Sequence, residues 1–287
     1  MNQEEQNYLN LLKEIIDIGD KQMDRTGIGT LSIFSGKLKF SLENNTIPLI
    51  TTKKMFFRGI VEELLFFIRG ETNTKLLEEK GVNIWKGNTS REFLDSRGLT
   101  NLPEGHMGKG YGFQWRNFNG DYLINNGVDQ LKNVIDTIKN NPYDRRIIIN
   151  AWNPSQLNEV ALPPCHTSVQ FYVNSKKELS SQFIMRSSDA YLGVVYNFCS
   201  YALLTHIIAK VCNLKPKEVI FIGGNIHVYL NHLEQVKEQI SRTPYNFPTI
   251  SINKELHSLE DIESLKFEDF KLENYKYYPA IKANMAI

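Results

Sequence analysis

Apolar positions in this 287-residue chain recur in two periods, and the switches between them mark its elements. Tyr8, Leu11, Leu12, Ile15 and Ile16 share one helical face, so an amphipathic helix is predicted to open the chain. Gly27 and Gly29 then punctuate a change to strand-like runs at 31–34 and 38–42. A second helix is predicted over 59–69, with Gly70 as its stop. From 88 to 126 the chain is rich in Gly, Asn and charge, which predicts an irregular insertion. Val128, Leu131, Ile135 and Ile138 mark another helix that ends before Pro142.

Strands are predicted at 145–152, 168–173 and 178–186, and the nearly all-apolar run 201–211 reads as a buried helix. Residues 219–222 lead into Gly223-Gly224, and the remainder alternates short strands with charged loops. No repeat, low-complexity block or linker divides the chain. Residues 1–287 therefore read as one α+β domain, a bent mixed sheet flanked by helices.

Composition narrows the function classes. The chain is 41% hydrophobic and 23% charged, with a formal net charge of +1, so no whole-molecule field points to nucleic acid or membrane. Any anion site must be a local group of arginines. Cys165, Cys199 and Cys212 are an odd, sparse set, which predicts reduced thiols in a cytoplasmic setting. There is no CxxC pair or HExxH helix, and His227 and His232 are poorly spaced for a shared metal, so no metal site is expected. Met1-Asn2-Gln3-Glu4-Glu5 is unlike a secretory signal, and no apolar run approaches the roughly 20 residues of a membrane span.

The candidate chemistry centres on Ala161-Leu162-Pro163-Pro164-Cys165-His166, just before the β-prone 168–173. Two prolines stiffen the turn, so Cys165 is either a firmly held nucleophile or a small buried hydrophobe. His166 is badly placed as its base, because neighbours in extended chain face opposite ways. The thiolate would be favoured instead by a cation.

Arginines supply candidates. Arg145-Arg146 precede one strand, Arg186-Ser187 close another, and Arg25 sits in Asp24-Arg25-Thr26-Gly27. Guanidinium forks with a hydroxyl suit a phosphate dianion. Ile60, Glu63, Leu64 and Phe67 share a helix face, which places the Glu63 carboxyl in apolar surroundings and leaves Glu62 solvated. The apolar Met285-Ala286-Ile287 predicts a docked tail, either a lid or a strand against the core.

These segments together resemble the thymidylate synthase family along essentially the whole chain. The matching stretches include Asp24-Arg25-Thr26-Gly27, Glu63-Leu64-Leu65, Tyr111-Gly112-Phe113-Gln114-Trp115-Arg116 and Asp144-Arg145-Arg146-Ile147-Ile148. They continue through Pro163-Pro164-Cys165-His166, Arg186-Ser187-Ser188-Asp189, Ser200-Tyr201-Ala202-Leu203-Leu204, His227-Val228-Tyr229 and the terminal Met285-Ala286-Ile287. The resemblance implies methylation of dUMP to dTMP with 5,10-methylenetetrahydrofolate as co-substrate, by addition of Cys165 to pyrimidine C6.

It also implies the site roles. Arg25, Arg186 and Ser187 would bind the phosphate, and Arg145 and Arg146 would reach the other subunit's phosphate in a homodimer joined through a sheet face. Asn197 would read the uracil edge, Asp189 would position pyrimidine and folate, and His227 with Tyr229 would hold the sugar hydroxyl. Glu63 would organise protons near O4, and Tyr111 would assist loss of the C5 proton. Lys53 and Trp85 would face the folate, and the Ile287 carboxylate would help close the site.

The chain departs from the family pattern at three places. Met185 stands where glutamine is usual, Val195-Tyr196-Asn197 replaces Pro-Phe-Asn, and Tyr278 stands in place of a frequent histidine. Methionine lacks the amide's hydrogen bonds, and a Tyr196 hydroxyl facing the pocket would hold a water. That combination admits a deoxyuridylate hydroxymethylase as the alternative, with water rather than hydride ending the reaction. Trp85 and the apolar tail weigh against it, since both shield the reacting carbon. Asn197 rather than a carboxylate favours uracil over cytosine.

Overall fold

The computed structural model describes residues 2–284. Its centre is a six-stranded sheet in the order β1-β2-β6-β5-β4-β3, built from β1 (Asp20–Gln22), β2 (Thr30–Ser41), β3 (Ile148–Asn150), β4 (His166–Val173), β5 (Glu178–Asp189) and β6 (Lys215–Tyr229). Only β5 and β6 run parallel, and the other pairs are antiparallel. The parallel pair requires a crossover. The helix Val194–Val211 makes it and lies across the inner face.

Register explains the two faces. Val169, Phe183, Phe221 and Leu38 form one cross-strand row, all buried, and Tyr201 of the crossover helix stacks on Phe183 at 4.3 Å. One residue out of step, Ser168, Ile184, Ile222 and Lys37 form the next row and face away from the core. The predicted strands at 31–34 and 38–42 are one strand. β2 continues through Ser35, whose φ is +71°, and Gly36, where a Cβ would lie 2.6 Å from Ile226 Cδ1. The sheet bends there.

The N-terminal helix spans Gln3–Ile18, capped by Asn2, and buries Tyr8, Leu11, Leu12 and Ile15 as its spacing predicts. The second helix runs Phe57–Ile68 and ends at Gly70, φ +71°. The segment 88–126 is mostly irregular but holds the short helices Arg91–Ser96 and Gly112–Arg116. The strand predicted at 145–152 shrinks to β3, because Arg145 and Arg146 turn out to solvent. The crossover helix begins at Val194 rather than at 201, and its length and composition would allow a membrane span. Its residues are mostly buried against the sheet and other helices, which makes it the core helix. A separate pair, β7 (Thr249–Ile252) and β8 (Phe270–Glu273), completes the described strands.

Distant parts of the chain meet at Thr51-Thr52. The buried Glu5 carboxylate accepts both backbone N–H groups at 2.8 Å and the Thr51 hydroxyl at 2.7 Å. Gln239 donates to the Thr52 hydroxyl, Arg242 to the Thr52 carbonyl, and the Tyr278 N–H to the Thr51 carbonyl.

Candidate active site

The nucleophile turn is fixed from both sides. Arg186 follows Met185 on β5, and its backbone N–H donates to the Cys165 carbonyl at 2.9 Å. Its guanidinium reaches back over the turn, with Nε donating to the Pro164 carbonyl at 2.9 Å and an outer nitrogen to the Pro163 carbonyl at 2.8 Å. A planar fork suits two adjacent carbonyls in a way that an ammonium does not. Cys165 is thereby held at the mouth of a cavity of about 330 Å³.

That cavity brings together Arg25, Glu63, Trp85, Tyr111, Cys165, Arg186, Ser187, Asp189, Asn197, His227 and Tyr229. The ends of β5 and β6 and the start of the crossover helix supply six of these eleven, and loops and the second helix bring in Arg25, Glu63, Trp85, Tyr111 and Cys165. β5–β6 register sets Asp189 beside His227. The Asp189 carboxylate accepts the N–H groups of Tyr191 and Leu192 at 2.9 and 3.0 Å, which folds the turn that starts the helix carrying Asn197. Asp24 shapes the Arg25 loop in the same way, accepting from Thr26 and Gly29.

Tyr111 sits at φ +34°, an unusual backbone for a side chain that is not glycine. The following Gly112 passes so close to the second helix that a Cβ would lie 2.7 Å from Phe67 Cα. Stacking on Phe67 (5.0 Å) and packing against His166 (4.3 Å) hold the ring. The hydroxyl accepts the Cys165 backbone N–H at 2.8 Å, so its own proton remains to be donated. Burial drives its pKa well above the ordinary tyrosine range.

Burial raises the Cys165 thiol above its ordinary value, and the cations Arg186 and Arg25 with the Tyr111 hydroxyl only partly offset it. Arg186 thus favours the thiolate as predicted, but desolvation outweighs it. The Glu63 carboxyl, pushed up to about 7 by burial, accepts the Trp85 indole N–H at 2.7 Å. His166 borders the cavity, but its Nδ1 pairs with the buried Tyr201 hydroxyl at 2.8 Å and burial holds it down to about 3, so it is not a base for Cys165.

Several sequence expectations are corrected. Glu62 is not solvated. It is 4% exposed and paired with Arg58 one helical turn back at 3.7 Å and with Lys80 at 2.7 Å, a partner outside the helix that its periodicity does not reveal. Tyr196 does not line the cavity, and its hydroxyl engages the Phe56 backbone, so the postulated water has no hydroxyl to hold it. Val195 is fully buried. Met185 lines the cavity and is the one nearby departure that touches it. Tyr278 stacks on Tyr245 at 5.0 Å.

Lys53 lies away from the cavity lining. Its ammonium donates to the Tyr191 carbonyl at 2.6 Å over that residue's ring, and burial brings it down to about 7 despite Asp189. Arg145 and Arg146 are exposed and also off the lining, with Arg146 in a fork with Asp144. Ile287 lies outside the described residues. Besides His166 and Met185, four lining residues are not among the predicted site residues: Ile84, Asn88, Leu162 and Gly193. Asn88 is buried with Nδ2 unpartnered, but it falls where the chain has no periodic pattern. No metal-binding group occurs among the described residues.

The thymidylate synthase family model matches residues 6–287. The chain belongs to the thymidylate synthase family. It is 50% identical to a thymidylate synthase of Ascaris suum and 48% identical to that of Saccharomyces cerevisiae, in both cases over the whole chain and 98% of the relative. A bifunctional dihydrofolate reductase-thymidylate synthase of Leishmania major is 49% identical over the whole chain, which spans 56% of that protein. The chain spans about half the length of this and of the probable thymidylate synthase of Schizosaccharomyces pombe (48%). These thymidylate synthase relatives lend no support to the hydroxymethylase alternative.

Proposed function

We propose that the chain converts dUMP to dTMP, taking both the one-carbon unit and the hydride from 5,10-methylenetetrahydrofolate. The observation that carries this reading is Cys165 lining one cavity together with the cations Arg25 and Arg186 and the apolar Ile84, Trp85 and Leu162. Arg25, Arg186 and Ser187 suit a phosphate, and Ile84, Trp85 and Leu162 suit a flat heterocycle.

In this mechanism the Cys165 sulfur bonds to C6 and the displaced electron pair makes C5 an enolate-like nucleophile. C5 bonds to the donated methylene carbon and then loses its proton, with Tyr111 serving the water chain that carries it. The carbon–nitrogen bond to the folate breaks, leaving an exocyclic methylene beside Trp85. Hydride transfer to that methylene expels the Cys165 thiolate and yields dTMP and dihydrofolate. Asn197 pairs with the uracil edge, Asp189 positions both substrates, and His227 with Tyr229 takes the sugar hydroxyl. Glu63 manages protons at O4. Lys53 contributes to folate binding only after leaving the Tyr191 carbonyl.

We further infer a homodimer through the outer sheet face, in the cytoplasm. Tyr172, Ile184 and Ile148 are exposed there at 65%, 40% and 38%, an apolar patch that a second copy would cover. In that dimer the exposed Arg145 and Arg146 would serve the partner's phosphate. Incubation with dUMP and methylenetetrahydrofolate tests the reaction. Dihydrofolate and dTMP should form in equal amounts, and tetrahydrofolate with 5-hydroxymethyl-dUMP would overturn the reading.

A further inference from the structure

Asn225 and His227 are two residues apart on β6, so their side chains leave the strand on one face. His227 Nδ1 lies 2.8 Å from Asn225 Oδ1. An amide oxygen only accepts, so Nδ1 carries the ring proton and Nε2 keeps its lone pair. His227 lines the cavity, and Nε2 is the ring nitrogen left for a ligand there. Tyr229 packs edge-on against the imidazole at 5.3 Å, which limits ring rotation. Strand register sets Asn225 beside Ser187 and His227 beside Asp189, both of the cavity lining.

We propose that Asn225 is a positioning residue that fixes the His227 tautomer, so that Nε2 accepts a hydrogen bond from the 3′-hydroxyl of the nucleotide sugar. This rests on the deoxyuridylate reading above and deepens it. The ring acts as an acceptor alone, so the site asks the sugar for a donor. A nucleotide without the 3′-hydroxyl leaves Nε2 unpaired and gains nothing from Asn225.

The test combines ¹⁵N NMR of histidine-labelled protein with steady-state kinetics on dUMP and on 2′,3′-dideoxyuridine monophosphate. In the unaltered protein His227 should show the Nδ1–H form. Asn225→Ala should shift it toward Nε2–H and raise KM for dUMP about fivefold, the worth of one neutral hydrogen bond, while kcat stays within about twofold. KM for the dideoxy nucleotide should not move. Asn225→Asp keeps an acceptor and should retain the Nδ1–H form above the imidazolium range.

An Nε2–H tautomer in the unaltered protein overturns the proposal, and so does an equal KM rise on both nucleotides. Absence of any dUMP turnover by the unaltered protein would instead remove the functional reading, with the tautomer shift still deciding whether Asn225 governs the ring.

Discussion

Trp85 donates its indole N–H to the Glu63 carboxylate at 2.7 Å, joining two side chains of the cavity lining. Burial raises the Glu63 carboxyl to about 7, which suits it to proton transfer near neutral pH in the proposed reaction. Glu63→Gln should lower kcat by about 10²-fold or more and remove a limb near pH 7 from the kcat profile. The same shift affects stability. The folded protein holds this proton up to about 7, whereas the unfolded chain releases it in the ordinary carboxylate range, so stability from this group falls as pH rises through that window. Thermal midpoints of Glu63→Gln should lack that decline.

The Arg186 fork on the Pro163 and Pro164 carbonyls also sets the charge facing Cys165. Arg186→Met should raise the thiol further and slow alkylation of Cys165 by iodoacetamide about tenfold at neutral pH, the effect of about one pKa unit. Peptide mapping distinguishes this thiol from Cys199 and Cys212. A rate unchanged from the unaltered protein would show that the guanidinium is only structural.

Tyr111 meets the Cys165 backbone N–H through its hydroxyl oxygen, so the hydroxyl proton is left to be donated elsewhere. Tyr111→Phe should cut kcat by about 10²–10³-fold with little change in KM for dUMP, because the ring stacking survives. Release of tritium from C5 of labelled dUMP should slow in step with kcat.

Lys53 is buried with its ammonium under Tyr191 and brought down to about 7. The folded state has shed this proton above about 7, whereas the unfolded chain keeps it into the ordinary lysine range. Stability from this group is therefore lowest below 7 and rises with pH above it. Lys53→Met should flatten that rise, as read from urea midpoints across the alkaline range.

Subunit complementation tests the two exposed arginines. Cys165→Ala and the double variant Arg145→Ala with Arg146→Ala should each have little activity alone. Refolded together, they should regain activity, because one site of each mixed dimer is then intact. No recovery would confine both arginines to their own subunit.

Much of the fold was legible from periodicity. Helices with clean apolar stripes, such as Gln3–Ile18 and Phe57–Ile68, appear within a residue or two of where spacing places them. The crossover helix was cut short because its first turns carry Tyr196 and Asn197 toward other partners, which breaks the apolar run. Glu62 and Glu63 show the limit of local reasoning. Spacing marked Glu63 correctly and gives the Arg58–Glu62 pair, one turn apart on the helix, but not Lys80, which reaches Glu62 from a separate segment. Cys165 announced itself through its prolines, whereas Tyr111 became visible only through the family resemblance. Asn88 and Asn225 carry no local signature, since their importance lies in what the fold sets beside them.

The meeting point at Thr51-Thr52 has a consequence for how the molecule is made. Glu5, Gln239, Arg242 and Tyr278 all grip the same two residues, so that junction is half-built until the chain is synthesised past 278. Until then only the Glu5 half of the clasp has its partners present in the chain.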